Sequence, residues 1–267
     1  MIVCDLRSPI AAARCTKGTL VSGADTGFLS RNHFLLRRLH SLSGVIPVGA
    51  FLINHLLTNS LTPDPKAFDE EVHWIHSLPY LVFIEFGAII LPLLFHMGYG
   101  VVIALQGRHN VGRYGYADNW RYTLQRVTGW VAVVFIIVHL LHFRFAYLTG
   151  AEGYVQQVHR GVSPYDAAAA GFLYGLPMSV WMVFYSIGLV ACVYHFANGL
   201  CTFCITWGIT IGDHSRRRVS IGATVLGLVL LIWGFRSLWG LSSGPNSIEP
   251  PDSVDDHSVA VLWQHEG

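Results

Sequence analysis

The chain has 267 residues, of which 52% are apolar and only 12% are charged, and its formal net charge is +1. Soluble domains carry about a quarter charged residues, so this composition argues against a water-soluble domain and indicates that much of the surface meets lipid. The net charge is uninformative by itself, because the charges are unevenly distributed along the chain.

Residues 1–30 have a mixed composition that includes Gly, Ser and Thr. A cleaved signal peptide needs a continuous apolar segment, which these residues lack. We therefore predict a flexible N-terminal extension over 1–30, ahead of a membrane domain over 31–241. Residues 242–267 follow as a predicted acidic tail.

Five stretches are apolar over about the 20 residues that a transmembrane helix needs. They cover residues 40–59, 78–105, 124–148, 176–207 and 219–241. Pro47, Pro92 and Pro177 lie within or at the start of these stretches, which membrane helices tolerate. The sequence therefore predicts an all-α integral membrane protein with five transmembrane helices, which we number span one to span five.

Basic residues concentrate in alternate segments of the chain. They precede span one, or lie between spans two and three or between spans four and five: Arg31, Arg37, Arg38, Arg108, Arg113, Arg121, Arg216, Arg217 and Arg218. The segments on the other side are poorer in basic residues, and the C-terminal tail has no Lys or Arg. The positive-inside rule then predicts a cytoplasmic N-terminus and a C-terminus outside.

Four histidines lie deep within the predicted spans, one in each of the first four. A polar ring in hydrocarbon is costly unless it is bonded to something. His55 and His139 both lie roughly 22 Å beyond the cytoplasmic start of their spans, at about 1.5 Å per residue. His96 and His195 both lie roughly 15–18 Å from the cytoplasmic ends of theirs. Depth therefore predicts an outer pair, His55 with His139, and an inner pair, His96 with His195.

Two pairs of histidines at two depths suit haem. The iron of a b-type haem takes one neutral imidazole on each face, and two levels give a path for electrons across the bilayer. Zinc would prefer three or four ligands at one depth, and each histidine could instead hydrogen-bond a neighbouring helix. We favour a four-helix haem-binding bundle of spans one to four, with span five as scaffold.

The same spans carry ordered sequence motifs. Span one contains RRLHSLSGVIPVGAFLINHLLTNS, span two HSLPYLVFIE and LPLLFHMGYGVVIA, the start of span three LQRVTGW, and the end of span four YHFANGL and TWGIT. From about Phe34 to the end of span five, the chain resembles the dihaem cytochrome b anchor of succinate:quinone oxidoreductases that have a single five-span membrane subunit.

The resemblance implies the ligands and their pairing. One histidine from each of the first four spans would bind iron axially: His96 with His195 for the haem nearer the cytoplasm, and His55 with His139 for the haem nearer the outside. This pairing agrees with the depth argument. In the fumarate-reducing branch of the family a carboxylate lies two residues before the ligand of span four. Val193 occupies that position here, which puts a proton path through it in doubt.

The resemblance also implies the partners. The chain would be a multi-pass subunit of the bacterial cytoplasmic membrane that docks a FAD-containing flavoprotein and an iron–sulfur protein at the cytoplasmic face. It would exchange electrons with a membrane quinone, usually menaquinone, while succinate oxidation or fumarate reduction takes place on the soluble partners. No nucleic-acid partner is expected, and association of the complexes into dimers or trimers is left open.

Several other polar residues are candidates for a quinone site. Glu85 lies inside span two nearer the outside, and an intramembrane carboxylate is by default a functional hypothesis. It is the candidate catalytic residue for quinone protonation, and the alternative is a neutral carboxyl hydrogen-bonded across helices. Asp69, Glu70 and Glu71 precede span two, where the fumarate-reducing branch has its quinone-site glutamate. An ordinary solvated loop is the alternative for these three.

The cytoplasmic ends of spans one and three carry groups that suit haem propionates, because guanidinium and hydroxyl groups bind carboxylates well. These candidates are Arg37, Arg38, His40, Ser41, Ser43 and Arg126. The alternative is interfacial snorkelling with positive-inside charge. His142 lies one turn beyond His139 as an alternative ligand, or as a propionate or quinone contact. The match of LQRVTGW to the family fixes the spacing to the ligand and favours His139.

The leading hypothesis is an electron-transfer subunit of a respiratory complex. A haem-free structural anchor and a transporter with polar histidine sites are the alternatives. A b-type α-band in a reduced-minus-oxidised spectrum distinguishes the leading hypothesis from both.

Overall fold

The computed structural model describes residues 31–107, 111–150, 153–172 and 175–243. Within these ranges the chain is helical and forms no strand, so the predicted all-α class is confirmed. The predicted extension, residues 1–30, lies outside the described residues. So do Arg108 and residues 244–267, which hold most of the predicted acidic tail.

In the described ranges, five helices are long and apolar enough to cross a membrane, as predicted. They are span one, His33–Asn59; span two, Leu81–Leu105; span three, Ala117–His142; span four, Met178–Thr206; and span five, Asp213–Ser243. The protein is therefore a multi-pass membrane protein. An N-terminal unit of the chain ends at Arg37, and a second unit begins at Arg38.

Spans one, three and five begin earlier than the sequence predicted. Residues 117–123 and 213–218 are largely polar or charged, yet both helices run through them. An apolar window marks only the part of a helix that lies in hydrocarbon, whereas Arg also forms helix well in water. Span three ends at His142 rather than at residue 148, and Ala146–Thr149 forms a short 3₁₀ turn.

Prolines interrupt the regular hydrogen bonding of two spans. Pro47 lacks an N–H group, and span one divides at Ile46 into two helices, His33–Val45 and Pro47–Asn59. In span two, residues Ile84–Ile90 are π-helical directly ahead of Pro92. Such segments are rare and often lie at functional sites, and this one contains Glu85.

Span four packs along span three on one side and along span five on the other. Glycines permit the close approach of these helices. Gly188 of span four faces the ring of Phe135, and Gly234 of span five faces Leu189. A Cβ atom at either glycine would overlap these side chains. A buried apolar cluster joins spans one, four and five: Leu56, Leu189, Val193, Phe196 and Leu230.

Short helices between the spans cover one end of the bundle, which we call the capped end. They are Pro65–His76, Tyr154–His159 and Pro164–Gly171. Asp64 and Ser163 begin the first and last of them, and each side-chain oxygen accepts a hydrogen bond from a backbone N–H of the first turn. The other end, where Arg121, Arg216, Arg217 and Arg218 lie, is the arginine-rich end.

The capped end is tied to span five by hydrogen bonds. The Tyr165 N–H donates to Asp69 Oδ1 at 2.7 Å, and the Tyr165 hydroxyl donates to the Gly240 carbonyl at 3.1 Å. The Arg236 guanidinium donates to the Ser60 carbonyl at 2.7 Å. Asp69, one of the carboxylates considered for a quinone site, is thus a structural acceptor between two connecting helices.

Candidate functional site

The structure brings together both histidine pairs that depth predicted. In the inner pair, the ring centroids of His96 and His195 lie 6.1 Å apart and the ring planes make an angle of 88°. In the outer pair, the centroids of His55 and His139 lie 5.8 Å apart and the planes make an angle of 78°. Each pair therefore joins two different spans, and each has its two rings nearly perpendicular.

The spacing within each pair suits one metal ion bound from both sides. Two imidazoles that share an ion have centroids about 6 Å apart, because each metal–nitrogen bond is about 2 Å and each centroid lies ~1 Å beyond its nitrogen. The observed 5.8 Å and 6.1 Å agree with this value. Among the described residues, no three His, Cys, Asp or Glu side chains converge as a zinc site would require.

Hydrogen bonds fix the tautomer of the inner pair. The Nδ1 atom of His96 lies 2.9 Å from the His40 carbonyl oxygen, and Nδ1 of His195 lies 3.0 Å from the Gln125 carbonyl oxygen. A carbonyl oxygen can only accept, so Nδ1 carries the proton in both rings. The lone pair of a neutral ring is then on Nε2, which is the arrangement that metal-binding histidines use.

Small residues and a third histidine pack against the inner pair. The ring of His40 stacks on that of His96, with centroids 4.0 Å apart and an interplanar angle of 10°. A Cβ atom at Gly44 would lie 3.1 Å from Nε2 of His96 and closer to Nδ1 and Cε1, and one at Gly129 would lie 3.1 Å from Cε1 of His195. This stack was not predicted from the sequence.

The outer pair has fewer hydrogen bonds. The Nδ1 atom of His139 is buried and has no hydrogen-bond partner among the described residues. The Asn59 amide lies 3.4 Å from Nδ1 of His55 and donates to the His55 carbonyl at 2.7 Å. The alternative that each intramembrane histidine only hydrogen-bonds a neighbouring helix therefore does not account for His139. Aromatic rings surround it: Phe135, Phe143 and Tyr185.

His142 uses both ring nitrogens in hydrogen bonds. Its Nε2–H donates to the Gly171 carbonyl at 2.7 Å, so Nδ1 accepts from the Tyr185 hydroxyl at 2.8 Å. Its ring also stacks on Trp181, with centroids 4.3 Å apart. With no nitrogen left for a metal, His142 ties span three to span four and to a connecting helix. This geometry favours His139 as the ligand in span three.

Glu85 pairs with a residue that the sequence analysis missed. Nε and Nη2 of Arg144 donate to the two Glu85 carboxylate oxygens, the second at 3.1 Å. Their side chains are 26% exposed for Glu85 and 32% for Arg144. The hydrogen bonds that Arg144 donates to Glu85 raise the pKa of Arg144 above its ordinary value. Glu85 therefore forms an ion pair with Arg144.

Arg144 was missed because it fell inside the predicted span three. Its guanidinium lies 5.7 Å from the ring centroid of Phe86 and 5.5 Å from that of Phe145. An arginine directly after a long apolar run, at an end that otherwise has few basic residues, is the signal that could have identified it.

Two of the propionate candidates are held at the arginine-rich end. Arg38 donates to the Thr206 carbonyl at 3.3 Å, and its guanidinium lies 5.0 Å from the ring centroid of Trp207. The guanidinium of Arg126 lies 3.5 Å from the ring centroid of Tyr122 and donates to the carbonyl of that residue at 3.3 Å. Both cations therefore contact aromatic rings near the ends of spans three and four.

The other candidates have simpler surroundings. Ser41 is half-buried, and Arg37 is exposed as the last residue of the N-terminal unit. The Ser43 hydroxyl donates to the His40 carbonyl at 3.0 Å. Among the outer carboxylates, Glu70 is exposed. A propionate or quinone role for these residues stays a prediction.

The amino-acid sequence is similar to that of a known cytochrome subunit. No protein-family model matches the chain. The chain is 37% identical over 207 residues to the succinate dehydrogenase cytochrome b558 subunit of Bacillus subtilis (strain 168), and the alignment covers 77% of the chain and 96% of that protein. The chain therefore belongs to the cytochrome b membrane-anchor family of succinate dehydrogenases.

Proposed function

We propose that the chain transfers electrons between the iron–sulfur subunit of a succinate dehydrogenase/fumarate reductase complex and membrane menaquinone. The observation that supports this most is the pair of histidine sites in different spans, with rings 6.1 Å and 5.8 Å apart. Two b haems bound there would supply one-electron carriers at two levels of the membrane.

Each histidine pair would bind one haem iron, which would supply a one-electron carrier. His96 and His195 would bind the inner haem, and their Nδ1–H bonds to backbone carbonyls keep the rings oriented and leave Nε2 free. His55 and His139 would bind the outer haem. Arg37, Arg38 and Arg126 would neutralise the inner propionates, and Ser41 would donate a hydrogen bond to them. The eight residues proposed for haem binding are His55, His96, His139, His195, Arg37, Arg38, Ser41 and Arg126.

The quinone reaction would use Glu85 at the capped end. A carboxylate there can hold a proton at one oxygen and exchange it with a quinone oxygen. Arg144 would stabilise the charged form of Glu85 between proton transfers, because its guanidinium donates to both carboxylate oxygens. The π-helical segment Ile84–Ile90 would present the carboxylate at this position.

The arginine-rich end would face the cytoplasm and dock the flavoprotein and the iron–sulfur protein. This orientation follows from the positive-inside rule and puts the inner pair nearer the iron–sulfur subunit. The chain would then lie in the bacterial cytoplasmic membrane, with the N-terminal extension of residues 1–30 inside and the acidic tail of residues 242–267 outside. No dicarboxylate site is proposed in this chain.

The test uses membranes that contain the native complex. Succinate should reduce the haems, which a reduced-minus-oxidised spectrum detects as a b-type α-band, and a menaquinone analogue should reoxidise them. His195→Ala should remove the inner haem, whereas His214→Ala should leave both, because His214 is exposed at the start of span five.

The same experiment separates the alternatives. A haem-free anchor or a transporter would give no α-band in the native complex. An α-band that persists at full intensity in His195→Ala would exclude that residue as a ligand. Haems that succinate cannot reduce would exclude the proposed electron path.

A further inference from the structure

A chain of polar side chains runs from the arginine-rich end to the inner pair. Nε of Arg121 donates to Oδ1 of Asn198 at 3.0 Å, and Nδ2 of Asn198 donates to Oε1 of Gln125 at 2.8 Å. Nε2 of Gln125 then donates to the His195 carbonyl at 3.1 Å. Each side chain is therefore linked to the next, across spans three and four.

Gln125 holds His195 twice. Its side-chain amide donates to the His195 carbonyl, and its own backbone carbonyl accepts from Nδ1 of the His195 ring at 3.0 Å. These two bonds fix both the backbone and the ring of one residue against span three. A partner on another helix thus orients the ring, and the rings of metal-binding histidines are commonly oriented by such hydrogen-bond partners.

Arg121 sets the direction of the hydrogen bonds that link these side chains. An arginine N–H can only donate, so the oxygen of Asn198 must face Arg121 and its NH₂ group must face Gln125. Gln125 in turn must present its oxygen to Asn198 and its NH₂ group to the His195 carbonyl. Both amides are therefore aligned head to tail, with the negative end of each dipole toward Arg121 and the positive end toward His195.

Burial strengthens the electrostatic effect of these aligned amides. Asn198 is only 8% exposed, and Arg121 and Gln125 are half-buried. In surroundings of low dielectric constant, hydrogen bonds are stronger and a charge acts over a longer distance than in water. Asn198 has both its oxygen and its NH₂ group satisfied, so the network carries no broken link between Arg121 and Gln125.

We propose that Arg121, Asn198 and Gln125 form a positioning network that orients the His195 ring and raises the reduction potential of the inner haem. This inference rests on the proposed function, because it requires a haem on His96 and His195. The reduced iron carries one positive charge less than the oxidised iron, so a cation linked to the ligand favours the reduced state. Hydrogen bonding around an axial ligand is one of the ways by which proteins set haem potentials.

The charge is tested with substitutions at Arg121, measured by potentiometric titration of the α-band in membranes that contain the complex. Arg121→Gln keeps a hydrogen-bond donor but removes the charge. We expect about a tenfold lower ratio of reduced to oxidised inner haem at a fixed potential, which equals a downward shift of ~59 mV for one electron. Arg121→Lys keeps the charge and should stay closer to the wild-type potential.

Two controls make the result specific. Arg113→Gln removes the same charge from an exposed position in the preceding segment and should not change the inner potential. The outer haem should keep its potential in every variant, because the network ends at His195. An inner potential that is unchanged in Arg121→Gln, or that falls equally in Arg113→Gln, overturns the role of the charge.

The orientation is tested at Gln125 by electron paramagnetic resonance of the oxidised haems. Perpendicular imidazole planes and parallel planes split the iron d orbitals differently, so the low-field signal reports the angle between the rings. Gln125→Met keeps the length of the side chain but removes both side-chain hydrogen bonds. We expect the inner signal to shift and the outer signal to stay in place, and an unmoved inner signal contradicts the positioning role.

The outcomes separate this inference from the proposed function. A wild-type complex without an inner haem contradicts the proposed function. A wild-type inner haem whose potential and signal are both insensitive to Arg121→Gln and Gln125→Met contradicts the network alone. If Gln125→Met does not assemble, the comparison of Arg121→Gln with Arg121→Lys still decides the question.

Discussion

Hydrogen bonds divide the intramembrane histidines into two chemical types. His96 and His195 donate through Nδ1 to carbonyl oxygens, so each keeps a free lone pair on Nε2. His142 donates through Nε2 and accepts at Nδ1, so it has no nitrogen left to bind a metal. Three histidines in similar apolar spans therefore differ in their capacity to bind a metal. Of the three, only His96 and His195 keep a ring nitrogen that could bind iron.

Gly44 gives the sharpest steric prediction for a single residue. A Cβ atom there would overlap the His96 ring, and overpacking of this kind typically costs about 1–3 kcal/mol. We expect Gly44→Ala to lose the inner component of the α-band and to keep the outer one. Gly98→Ala is the matched control in span two, because nothing lies within 4 Å of a Cβ atom there. An intact inner haem in Gly44→Ala would show that the ring does not depend on this space.

Glu85 gives a kinetic prediction. A positioned general acid or base typically contributes about 10²–10⁴-fold to a rate, so Glu85→Gln should slow reoxidation of the reduced haems by a menaquinone analogue about 100-fold. Reduction of the haems by succinate should be unchanged, because the substitution is not at either histidine pair. Asp118→Asn, at an exposed position of the arginine-rich end, is the control. Equal reoxidation rates in the two variants would remove Glu85 from the quinone reaction.

For single residues, the sequence predicted the depth in the membrane better than the side-chain contacts. Spacing along the spans was enough to pair His55 with His139 and His96 with His195, because helix rise converts residue number to depth. Arg144, Gln125 and the stack of His40 on His96 were not predicted. Those contacts depend on the rotation of each helix about its axis, which spacing alone does not determine.

At the scale of elements, the number of spans was predicted and their ends were not. Hydropathy marks the length of chain that needs lipid, so five apolar stretches gave five helices. It does not report where a helix continues into water, as span five does from Asp213. Nor does it report the π-helical segment Ile84–Ile90, because periodicity over seven residues cannot distinguish a π-helix from an α-helix.

The contact between spans three and four at the capped end gives a prediction of stability. Tyr185→Phe removes the hydroxyl that donates to Nδ1 of His142. Leaving a buried acceptor without its partner costs about 1–3 kcal/mol, and His142 is half-buried, so the detergent-solubilised complex should unfold at a lower temperature. Tyr147→Phe is the control, since Tyr147 is 53% exposed. Equal melting temperatures for the two variants would argue against a stabilising role of the His142 contact.

At the scale of the whole molecule, the proposed orientation follows from arginines at one end of the bundle. Membership of the succinate dehydrogenase cytochrome b family is shown by sequence identity across nearly the whole relative, but identity does not give a direction in the membrane. The charge distribution does, because positive loops are retained in the cytoplasm. The orientation can be tested without any haem.

Accessibility of engineered cysteines in intact cells checks this orientation. Lys66→Cys lies at the capped end and Tyr114→Cys precedes span three, and both positions are exposed. A membrane-impermeant thiol reagent should label Lys66→Cys in intact cells and Tyr114→Cys only after the cells are opened. The reverse pattern would invert the molecule in the membrane and would move the docking face to the capped end.

Under the proposed function, two histidine pairs would hold two haems at different depths. A potentiometric titration of the α-band, in membranes with the native complex and in single His→Ala variants, tests it most directly. We predict two one-electron components in the wild type. His96→Ala and His195→Ala should lose one and the same component, and His55→Ala and His139→Ala should lose the other. A single component in the wild type, or the loss of one component by variants from different pairs, would contradict the account.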